Sequence, residues 1–325
     1  MIFVTGGTGL LGNCIVRELC ARQMPVRVLC RRGTPRTALE HLPIDIVEGE
    51  LGDAAVLQQA VAGCSAVIHS AALIHIGWQQ LDASRKVNVQ GTQHILEACS
   101  QHAARLVYVS TVDTLPAASS PQQPIDERAI GGVPKTPCAY VISKREAEQV
   151  VQQAFEAGTV DGVVVHPGFM LGPFDWKPSS GRMFLQVTRA PLVAAPAGGC
   201  SVCDPRHVAR ACVNAIERGA RGEHFILAGQ NTPYRQLWQQ MLEVAGRRRR
   251  VFRLGPLAIA AVRGLDLVHR WLPISEGDVN GAVLAMGNLW HYYDSSKAVR
   301  ELDYDSSFSP ETLREVWEWL RTHHQ

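Results

Sequence analysis

Tyr140 and Lys144 are the residues whose types and spacing most directly suggest acid–base chemistry in this chain. They lie four positions apart in Tyr140-Val-Ile-Ser-Lys144, so on a helix both side chains project from one face. A phenol titrates near pH 10 in water, and its use near neutrality requires a shift of about 2–3 units, roughly 3–4 kcal/mol. An ammonium about 4 Å away supplies around that much at an effective dielectric near 20. We therefore predict that Lys144 tunes the pKa of Tyr140, although such a pair alone is common on surface helices.

Two further hydroxyls end the predicted strand Leu106-Val-Tyr-Val-Ser110-Thr111. The carboxyl edge of an open parallel sheet is where such sheets place their ligands, so either hydroxyl could share a substrate oxygen with Tyr140. Adjacent strand residues point to opposite faces, so only one of the two can face that site. The residues alone leave the choice between Ser110 and Thr111 open.

A glycine-rich turn begins the chain. Residues 5 to 12 read Thr5-Gly-Gly-Thr-Gly-Leu-Leu-Gly12, directly after the apolar run Met1-Ile-Phe-Val4. Gly6 permits a tight turn, Gly9 allows the backbone to approach a pyrophosphate, and Gly12 allows the following helix to lie on the sheet. The helix N-terminus offers free N–H groups and a partial positive charge to the phosphates. The pattern predicts a dinucleotide site; a glycine-rich turn without a ligand is the alternative.

The end of the second predicted strand distinguishes the nucleotides. An acidic residue there would accept a hydrogen bond from the ribose 2′-hydroxyl of NAD. The strand ends instead in Cys30-Arg31-Arg32-Gly33, and no carboxylate follows until Glu40. Two guanidinium groups suit a 2′-phosphate, so we predict NADP(H), unless the arginines only solvate the strand end.

These residues require a parallel sheet to position them. Short apolar runs alternate with helical patterns in the first half of the chain, which predicts an α/β, doubly wound parallel sheet of the Rossmann type. The predicted strands are Ile2–Thr5, Val26–Cys30, Ile44–Glu48, Ala66–Ser70, Leu106–Ser110, Gly162–His166 and His224–Ala228. The predicted helices span 10–22, 54–62, 82–101, 140–157 and 207–218, and Asp53 is a plausible N-cap of the second.

The second half has a different texture. Residues 167–199 are rich in Pro and Gly, which indicates loops over a site, and 230–290 carry helical periodicity, including Leu257 to Trp271. We predict a dinucleotide-binding domain of residues 1–170, with returning segments at about 200–229 and 292–302. Residues 171–199 and 230–291 then form a smaller, mostly helical substrate lobe, closed by the 303–325 tail with its amphipathic helix from Pro310 to Arg321.

Composition restricts the functional classes. The net charge of +2 over 325 residues argues against a nucleic-acid partner. A strand that begins at residue 2 predicts no signal peptide, and no apolar run reaches the length of a membrane span. Nine cysteines without framework spacing suit a reducing cytoplasm. Cys200 and Cys203, with His207 nearby, lack a second ligand pair, so we interpret them as small apolar side chains and predict no metal.

Together these motifs resemble the extended short-chain dehydrogenase/reductase superfamily over nearly the whole chain. The dihydroflavonol-reductase-like branch, which includes 3β-hydroxysteroid dehydrogenases and bacterial sugar epimerases, is the most similar. The motifs that carry the resemblance are the 5–12 glycine turn, Gly49-Glu-Leu51, Val67-Ile-His-Ser-Ala71-Ala72, Asn88-Val-Gln-Gly91-Thr92, Ser110-Thr111, Tyr140/Lys144, Pro167-x4-Gly172-Pro173, Phe174-Asp-Trp-Lys177-Pro-Ser-Ser-Gly181-Arg182 and Tyr293-Asp294-Ser-Ser-Lys297-Ala.

The resemblance implies roles for individual residues. The catalytic hydroxyl falls on Thr111, with Ser110 on the nicotinamide side, Tyr140 as proton donor and Lys144 on the nicotinamide ribose. Asn88 would brace the helix beside the active-site strand. The implied cofactor-binding residues are Gly6, Thr8, Gly9, Leu10, Leu11, Arg31, Arg32, Glu50, Leu51, Ala71, Ala72, Ser110, Tyr140, Lys144, Pro167 and Gly168.

Three positions depart from the family pattern. Thr111 replaces the commonest serine but keeps its hydroxyl, and Glu50 replaces the usual aspartate with a longer arm. His166 replaces a frequent Arg or Asn before Pro167, which leaves the shape of the nicotinamide pocket open; a packed strand end is the plainer interpretation of this histidine.

Three functions fit this resemblance. The first is an NADPH-dependent reductase of a ketone or aldehyde on a largely apolar small molecule. The second is a nucleotide-sugar epimerase or dehydratase, and the third a non-catalytic NADP-sensing regulator, which the retained Tyr140/Lys144 pair disfavours.

The substrate lobe favours the first function. A nucleotide-sugar enzyme must hold a diphosphate, generally with an arginine at about the position of Cys200, yet residues 190–203 contain no basic group. Against this, Lys177, Arg182 and Arg189 lie just upstream and could meet an anion. The sequence leaves open the identity of the substrate, a homodimer through helices 82–101 and 140–157, and a membrane-surface contact of the Arg247–Arg250 run.

Overall fold

The computed structural model describes residues 1–255 and 280–324 of the chain. In chain order the strands are β1 (Ile2–Thr5), β2 (Val26–Cys30), β3 (Asp45–Glu48), β4 (Ala66–His69), β5 (Arg105–Val109), β6 (Gly162–Pro167), β7 (Phe169–Met170), β8 (Val193–Ala195), β9 (Gly199–Cys203), β10 (His224–Leu227), β11 (Gln230–Pro233), β12 (Val251–Arg253) and β13 (Trp290–His291). The α-helices are α1 (Leu10–Ala21), α2 (Ala54–Val61), α3 (Leu81–Arg85), α4 (Gly91–His102), α5 (Ala139–Glu156), α6 (Ser180–Arg189), α7 (Pro205–Asn214), α8 (Tyr234–Val244), α9 (Gly281–Gly287), α10 (Ser296–Leu302) and α11 (Pro310–His323).

A seven-stranded sheet in the order β10-β6-β5-β4-β1-β2-β3 forms the centre, and every neighbouring pair is parallel. The predicted doubly wound α/β sheet is therefore confirmed, with strand bounds within one residue of those expected. Thr5 pairs with Leu29 and with His69, and His69 pairs with Tyr108. The loops after these strands consequently open at one edge of the sheet.

Helices cover both faces of this sheet. Helices α1 and α7 pack together on one face, in a core that includes Ile15, Leu19 and Val208. Helices α2, α4 and α5 cover the other face around Leu57 and Ile95. Asp53 caps α2 as expected, because its carboxylate accepts from the backbone N–H of Val56 at 3.1 Å.

The helix predicted over 82–101 is not continuous. A π-helical turn at Lys86–Gln90 separates α3 from α4. Such single turns place an extra residue within a helix and redirect the side chains around it. Here the interruption contains Asn88, whose contacts are described below.

The prediction that 167–199 contains only loops is wrong. The segment contributes β7, helix α6 and β8, and β7 and β11 both pair with β9. The 230–290 segment likewise holds strands β11 and β12 beside its helices. Strands of two or three residues, such as β7, β8 and β12, show too few alternations to be recognised in a sequence, and β11 is mostly polar.

A third core lies beside the sheet. Residues from α6, β9, α8 and α11 enclose it, among them Phe184, Met241 and Leu320. The predicted tail helix is confirmed and extends to His323. The division into a dinucleotide domain and a substrate lobe stays a prediction, and the periodic segment Leu257 to Trp271 lies outside the described residues. Among the described helices, none is long and apolar enough to cross a membrane.

Candidate functional site

The glycine turn joins β1 to α1 as the sequence predicts. Gly6 has φ +78°, and a Cβ there would lie 2.8 Å from the backbone nitrogen of Ala71. A Cβ on Gly12 would lie 2.1 Å from the Gly6 carbonyl oxygen, so only glycine allows this approach. Gly9 is exposed at the N-cap of α1 without a side-chain cap, and a Cβ there would meet only the Gly6 oxygen, at 3.3 Å. The open helix N-terminus fits a pyrophosphate group. Thr8 is half-buried beside this opening, and Leu10 and Leu11 are buried behind it.

Arg31 and Arg32 follow β2 and are both exposed. Neither guanidinium donates a hydrogen bond to any part of the chain that the structure describes. The nearby Arg36 instead forms an ion pair with Glu48 at the end of β3. Two unengaged guanidinium groups thus stand at the edge of the sheet that also holds the glycine turn.

The loops after β3 and β4 complete this edge. Glu50 is exposed, and Leu51 is half-buried, with its carbonyl oxygen 2.8 Å from His94 Nδ1. The backbone N–H of Ala71 donates to Thr5 Oγ1 at 3.2 Å, and Ala72 follows it, half-buried. These contacts hold the loops after β3 and β4 at the edge of the sheet that carries the glycine turn.

Asn88 connects three elements at the site. Its side chain accepts from Leu73 N at 2.7 Å and donates to Leu73 O at 3.1 Å. It also donates to Ser143 Oγ, at 2.9 Å, on helix α5. The loop after β4 is therefore tied to the helix that carries Tyr140, as the resemblance implied.

Tyr140 and Thr111 come together at the end of β5. The Thr111 hydroxyl lies beside the Tyr140 side chain and donates to Asp113 Oδ2 at 3.2 Å. The structure thus turns Thr111, not Ser110, toward the phenol. Burial and the neighbouring Asp113 carboxylate both raise the pKa of Tyr140 well above its ordinary value.

Lys144 lies one helical turn along α5, buried against β5. Its Nζ donates to Tyr108 OH at 2.9 Å and to Val109 O at 2.7 Å. Burial lowers the pKa of Lys144 to about 7, while Glu148 opposes this effect. The predicted lowering of the Tyr140 pKa by Lys144 is not found, because burial and Asp113 dominate around the phenol.

A second polar cluster lies behind Lys144. Ser110 Oγ donates to the carboxylate of Glu148, and His166 and His224 lie beside it. A carboxylate oxygen of Glu148 and ring nitrogens of His166 and His224 lie within 4.8 Å of one another. Such spacing could suit a metal ion, but hydrogen bonds already engage these atoms, so we interpret it as a hydrogen-bonded cluster.

Two predicted residues, Pro167 and Gly168, lie at the end of β6. Pro167 is the last residue of β6 and is buried. The backbone N–H of Gly168 donates to Leu227 O at 3.1 Å, and a Cβ on Gly168 would lie 2.6 Å from Ser201 O. The close approach explains a glycine at this position without invoking a ligand.

Apolar side chains pack around Tyr140. Tyr140 packs with Cys138, Val141 and Ala282, with Ile76 and Met286 against them. The neighbouring Ile74, Trp78 and Val283 are exposed, at 60%, 41% and 37%. Asn280 joins the two segments, since its Nδ2 donates to Ile76 O at 2.7 Å.

Cys200 and Cys203 lie on strand β9. Both are buried, and burial raises the pKa of each thiol, that of Cys203 to about 12. His207 lies on α7, with Nε2 3.6 Å from Asp305. Cys200 lies in the third core, with its thiol beside Tyr234.

Sequence reasoning did not identify Asp113, Glu148 and His224. Glu148 continues the four-residue spacing of Tyr140 and Lys144, so its face of the helix could have been predicted. Asp113 and His224 carried no comparable signal, because their positions depend on a short 3₁₀ turn and on a distant strand.

Comparisons with known proteins agree with this geometry. The family model described as the NAD dependent epimerase/dehydratase family matches residues 2–228. A protein of Synechocystis sp. that carries the name dihydroflavonol 4-reductase is 32% identical over 99% of this chain and 94% of its own length. A 2-alkyl-3-oxoalkanoate reductase of Stenotrophomonas maltophilia is 31% identical over 75% of this chain and 76% of its own.

Solved structures show the same fold. The crystal structure of gox2253 has a TM-score of 0.83 and 27% identity, and the match covers 100% of this chain and 98% of that one. A dTDP-glucose 4,6-dehydratase from Streptomyces venezuelae with NAD bound has a TM-score of 0.77 and 22% identity, over 99% of this chain and 97% of that one.

Proposed function

Because this chain belongs to the NAD-dependent epimerase/dehydratase family, we propose that it is an NADPH-dependent reductase of a ketone or aldehyde on a largely apolar small molecule. The observation that carries the proposal is that the Thr111 hydroxyl lies beside the Tyr140 side chain, with Lys144 one helical turn away. Two hydroxyls that converge beside an apolar cluster suit one carbonyl oxygen of an apolar substrate.

The chain's own residues account for the proton transfer. When bound, NADPH would supply the hydride to the carbonyl carbon. Tyr140 donates its phenolic proton to the carbonyl oxygen, while Thr111 donates a hydrogen bond to that oxygen. The raised pKa of Tyr140 keeps the phenol protonated at neutral pH, which is the form that a reductase needs. The Lys144 ammonium would hold the nicotinamide ribose of the bound cofactor.

The choice of NADPH rests on Arg31 and Arg32. Both guanidinium groups are exposed at the end of β2, where the adenosine ribose lies in sheets of this kind. A 2′-phosphate would accept forked hydrogen bonds from them.

The choice of an apolar substrate rests on two observations. Exposed apolar side chains lie next to the Tyr140 cluster, as described above. Three arginines of the neighbouring lobe are engaged by protein oxygens: Arg189 donates to His324 O, Arg235 to Val251 O and Arg249 to Ala190 O. A diphosphate would have to displace these contacts. The names of the two relatives described above, both reductases, support the same direction.

The experiment is NADPH consumption with aryl ketones, steroids, aldehydes and nucleotide sugars, each with the wild type and Tyr140→Phe. We expect turnover of an apolar carbonyl compound and a loss of about 10²–10⁴-fold in kcat for Tyr140→Phe. Full activity of Tyr140→Phe would remove the proposed proton donor.

A nucleotide-sugar epimerase or dehydratase is the second candidate, and the family to which the chain belongs favours it. Turnover restricted to nucleotide sugars would establish this function in place of the reductase. Tight NADPH binding with no turnover of any compound would instead favour a cofactor-sensing regulator.

A further inference from the structure

Helix α5 carries polar side chains every four residues, at Tyr140, Lys144, Glu148 and Gln152. The first two belong to the proposed reaction, while the last two extend the same face into the protein. Strands β5, β6 and β10 cover this extension, with Ser110 following β5. The reduction proposed above does not by itself require these residues.

The Glu148 carboxylate has several partners there. Ser110 Oγ donates to Oε2, and Thr114 Oγ1 lies 3.1 Å from the same oxygen. His166 Nδ1 lies 3.9 Å from Oε2, and His224 Nδ1 lies 3.9 Å from Oε1. Only 13% of the Glu148 side chain is exposed, so these contacts replace most of its hydration.

Hydrogen-bond directions locate the protons of this cluster. Gln152 Nε2 donates to the Glu156 carboxylate, so Gln152 Oε1 accepts from His224 Nε2 at 3.1 Å. His224 Nδ1 then accepts from His166 Nε2 at 2.9 Å. His166 Nδ1 faces only oxygen acceptors, the Thr111 carbonyl at 3.3 Å and the Glu148 carboxylate. His166 therefore contacts His224 through one ring nitrogen and lies beside the Glu148 carboxylate with the other.

Lys144 lies among neutral groups except for this carboxylate. Tyr108 OH and Val109 O accept from its Nζ, and burial keeps the nearby His69 neutral by lowering its pKa to about 3. Glu148 is the acid whose charge favours the protonated form of Lys144. Without that charge, burial would remain, and burial favours the neutral amine of Lys144.

We propose that Glu148 is a positioning residue for the reduction: held by Ser110 and Thr114 beside His166, its carboxylate keeps Lys144 protonated and holds the end of β5 against α5. The proposal rests on the proposed function, since it assigns Glu148 a role in that reaction. The neutral His224 and Gln152 extend the cluster, and Lys297 on α10, which donates to His224 O at 3.1 Å and pairs with Glu223, is the next charged group beyond it.

The test is the pH dependence of kcat/KM for Glu148→Gln, which keeps the shape and removes the charge. Glu146→Gln is the matched control, because Glu146 lies on the same helix but pairs with Arg85 at the surface. Lys144 must be protonated to act, so loss of the Glu148 charge makes it deprotonate at lower pH. We expect the alkaline limb of the profile to move about one to two pH units lower, a loss of about 10- to 100-fold at pH 8 that recovers toward pH 6.

Glu148→Asp provides the conservative rescue. Glu148→Asp keeps the carboxylate but shortens the side chain by one methylene, which changes the distance of the charge from Lys144. The alkaline limb of its pH profile should therefore lie between those of Glu148→Gln and the wild type. Coincident profiles for Glu148→Gln, Glu146→Gln and the wild type would overturn the proposal. Should Glu148→Gln fail to fold, a wild-type profile for Glu148→Asp would overturn it as well.

The pH dependence of NADPH affinity gives a readout that needs no turnover. Lys144 is expected to hold the nicotinamide ribose, so Glu148→Gln should lose affinity at lower pH than Glu146→Gln. If the wild type reduces no carbonyl compound yet shows this displaced binding profile, the proposed function fails while the effect of Glu148 on Lys144 stands. Superimposable binding profiles would refute that effect.

Discussion

The ammonium of Lys144 is buried at an energetic cost to the fold. Its side chain is 3% exposed, and two hydrogen bonds and one carboxylate do not replace the lost hydration, since the pKa falls from 10.5 to about 7. Between these values the unfolded chain binds a proton that the folded chain has released, so stability rises with pH in that window. Below pH 7 both states are protonated, and the full destabilisation is present.

Lys144→Met should therefore stabilise the protein while abolishing its activity. We expect the free energy of unfolding at pH 6 to rise by about 1–3 kcal/mol after the lost hydrogen bonds are subtracted, and the gain to disappear toward pH 10. Urea unfolding across this pH range measures it. Lys86→Met, an exposed lysine on the same face of the sheet, should change little. A destabilised Lys144→Met at pH 6 would contradict the assigned cost.

Arg31, which follows β2, is expected to determine the cofactor preference. We expect Arg31→Asp to weaken NADPH binding by about 10- to 100-fold, because a repulsive carboxylate replaces a phosphate partner, and to leave NADH binding nearly unchanged. Fluorescence titration with both nucleotides gives the ratio. Arg22→Asp is the control, since Arg22 lies at the opposite end of α1 and pairs with Glu18. An unaltered NADPH-to-NADH ratio in Arg31→Asp would dismiss the assignment.

Residue chemistry was predictable where spacing alone determines proximity. Tyr140 and Lys144 share a helix face by their four-residue separation, and the structure places them so. The environment of Tyr140 was not predictable, because Asp113 approaches it through the turn after β5. A pKa depends on every charge and on burial around a group, which a local motif does not contain.

Among the elements, the π-helical turn at Lys86–Gln90 has the clearest consequence. It separates α3 from α4 and holds Asn88 where that side chain contacts both the loop after β4 and helix α5. A regular helix over the same residues would carry the amide to a different angle. The predicted continuous helix had the right extent but lacked this feature, because hydrophobic periodicity does not register a single inserted residue.

Asn88→Ala should break the connection between the loop after β4 and helix α5. The substitution removes three hydrogen bonds and leaves Leu73 N–H and O without their partner, so we expect a cost of about 2–3 kcal/mol in unfolding free energy. We also expect kcat to fall more than tenfold, since Ser143 and Tyr140 occupy adjacent turns of α5. Gln93→Ala, at an exposed position of α4, is the control. Wild-type kcat in a folded Asn88→Ala would show that the connection is only structural.

The strands of the central sheet and the longer helices were predictable, and the short strands beside the third core were not. Strands β1, β2 and β4 are continuous apolar runs because both faces of the sheet are covered. Strands β7, β8 and β12 have two or three residues, and their pairing depends on contacts distant in sequence. For the same reason the substrate side of the site is the part that sequence reasoning described least well.

At the scale of the whole molecule, the chain passes back and forth between two hydrophobic cores, the core around α1 and the third core. The core around α1 also includes Cys203, Phe225 and Ala298, which come from segments far along the chain. The third core takes its residues from the segments between these returns and from α11. The sequence predicts a dinucleotide-binding domain and a substrate lobe, and whether these regions are separate cooperative units is a thermodynamic question.

Leu320→Ala addresses that question. Leu320 is fully buried in the third core, and alanine would leave a cavity that costs about 2–5 kcal/mol. If the two regions unfold separately, amide hydrogen exchange should accelerate in α6 and α8 while β1 and NADPH affinity stay unchanged. Leu19→Ala is the matched control, a fully buried leucine in the α1 core, and should accelerate exchange in β1 and weaken NADPH binding. Equal acceleration in both regions by either variant would mean that the chain unfolds as one unit, and the predicted domain division would then describe topology without cooperativity.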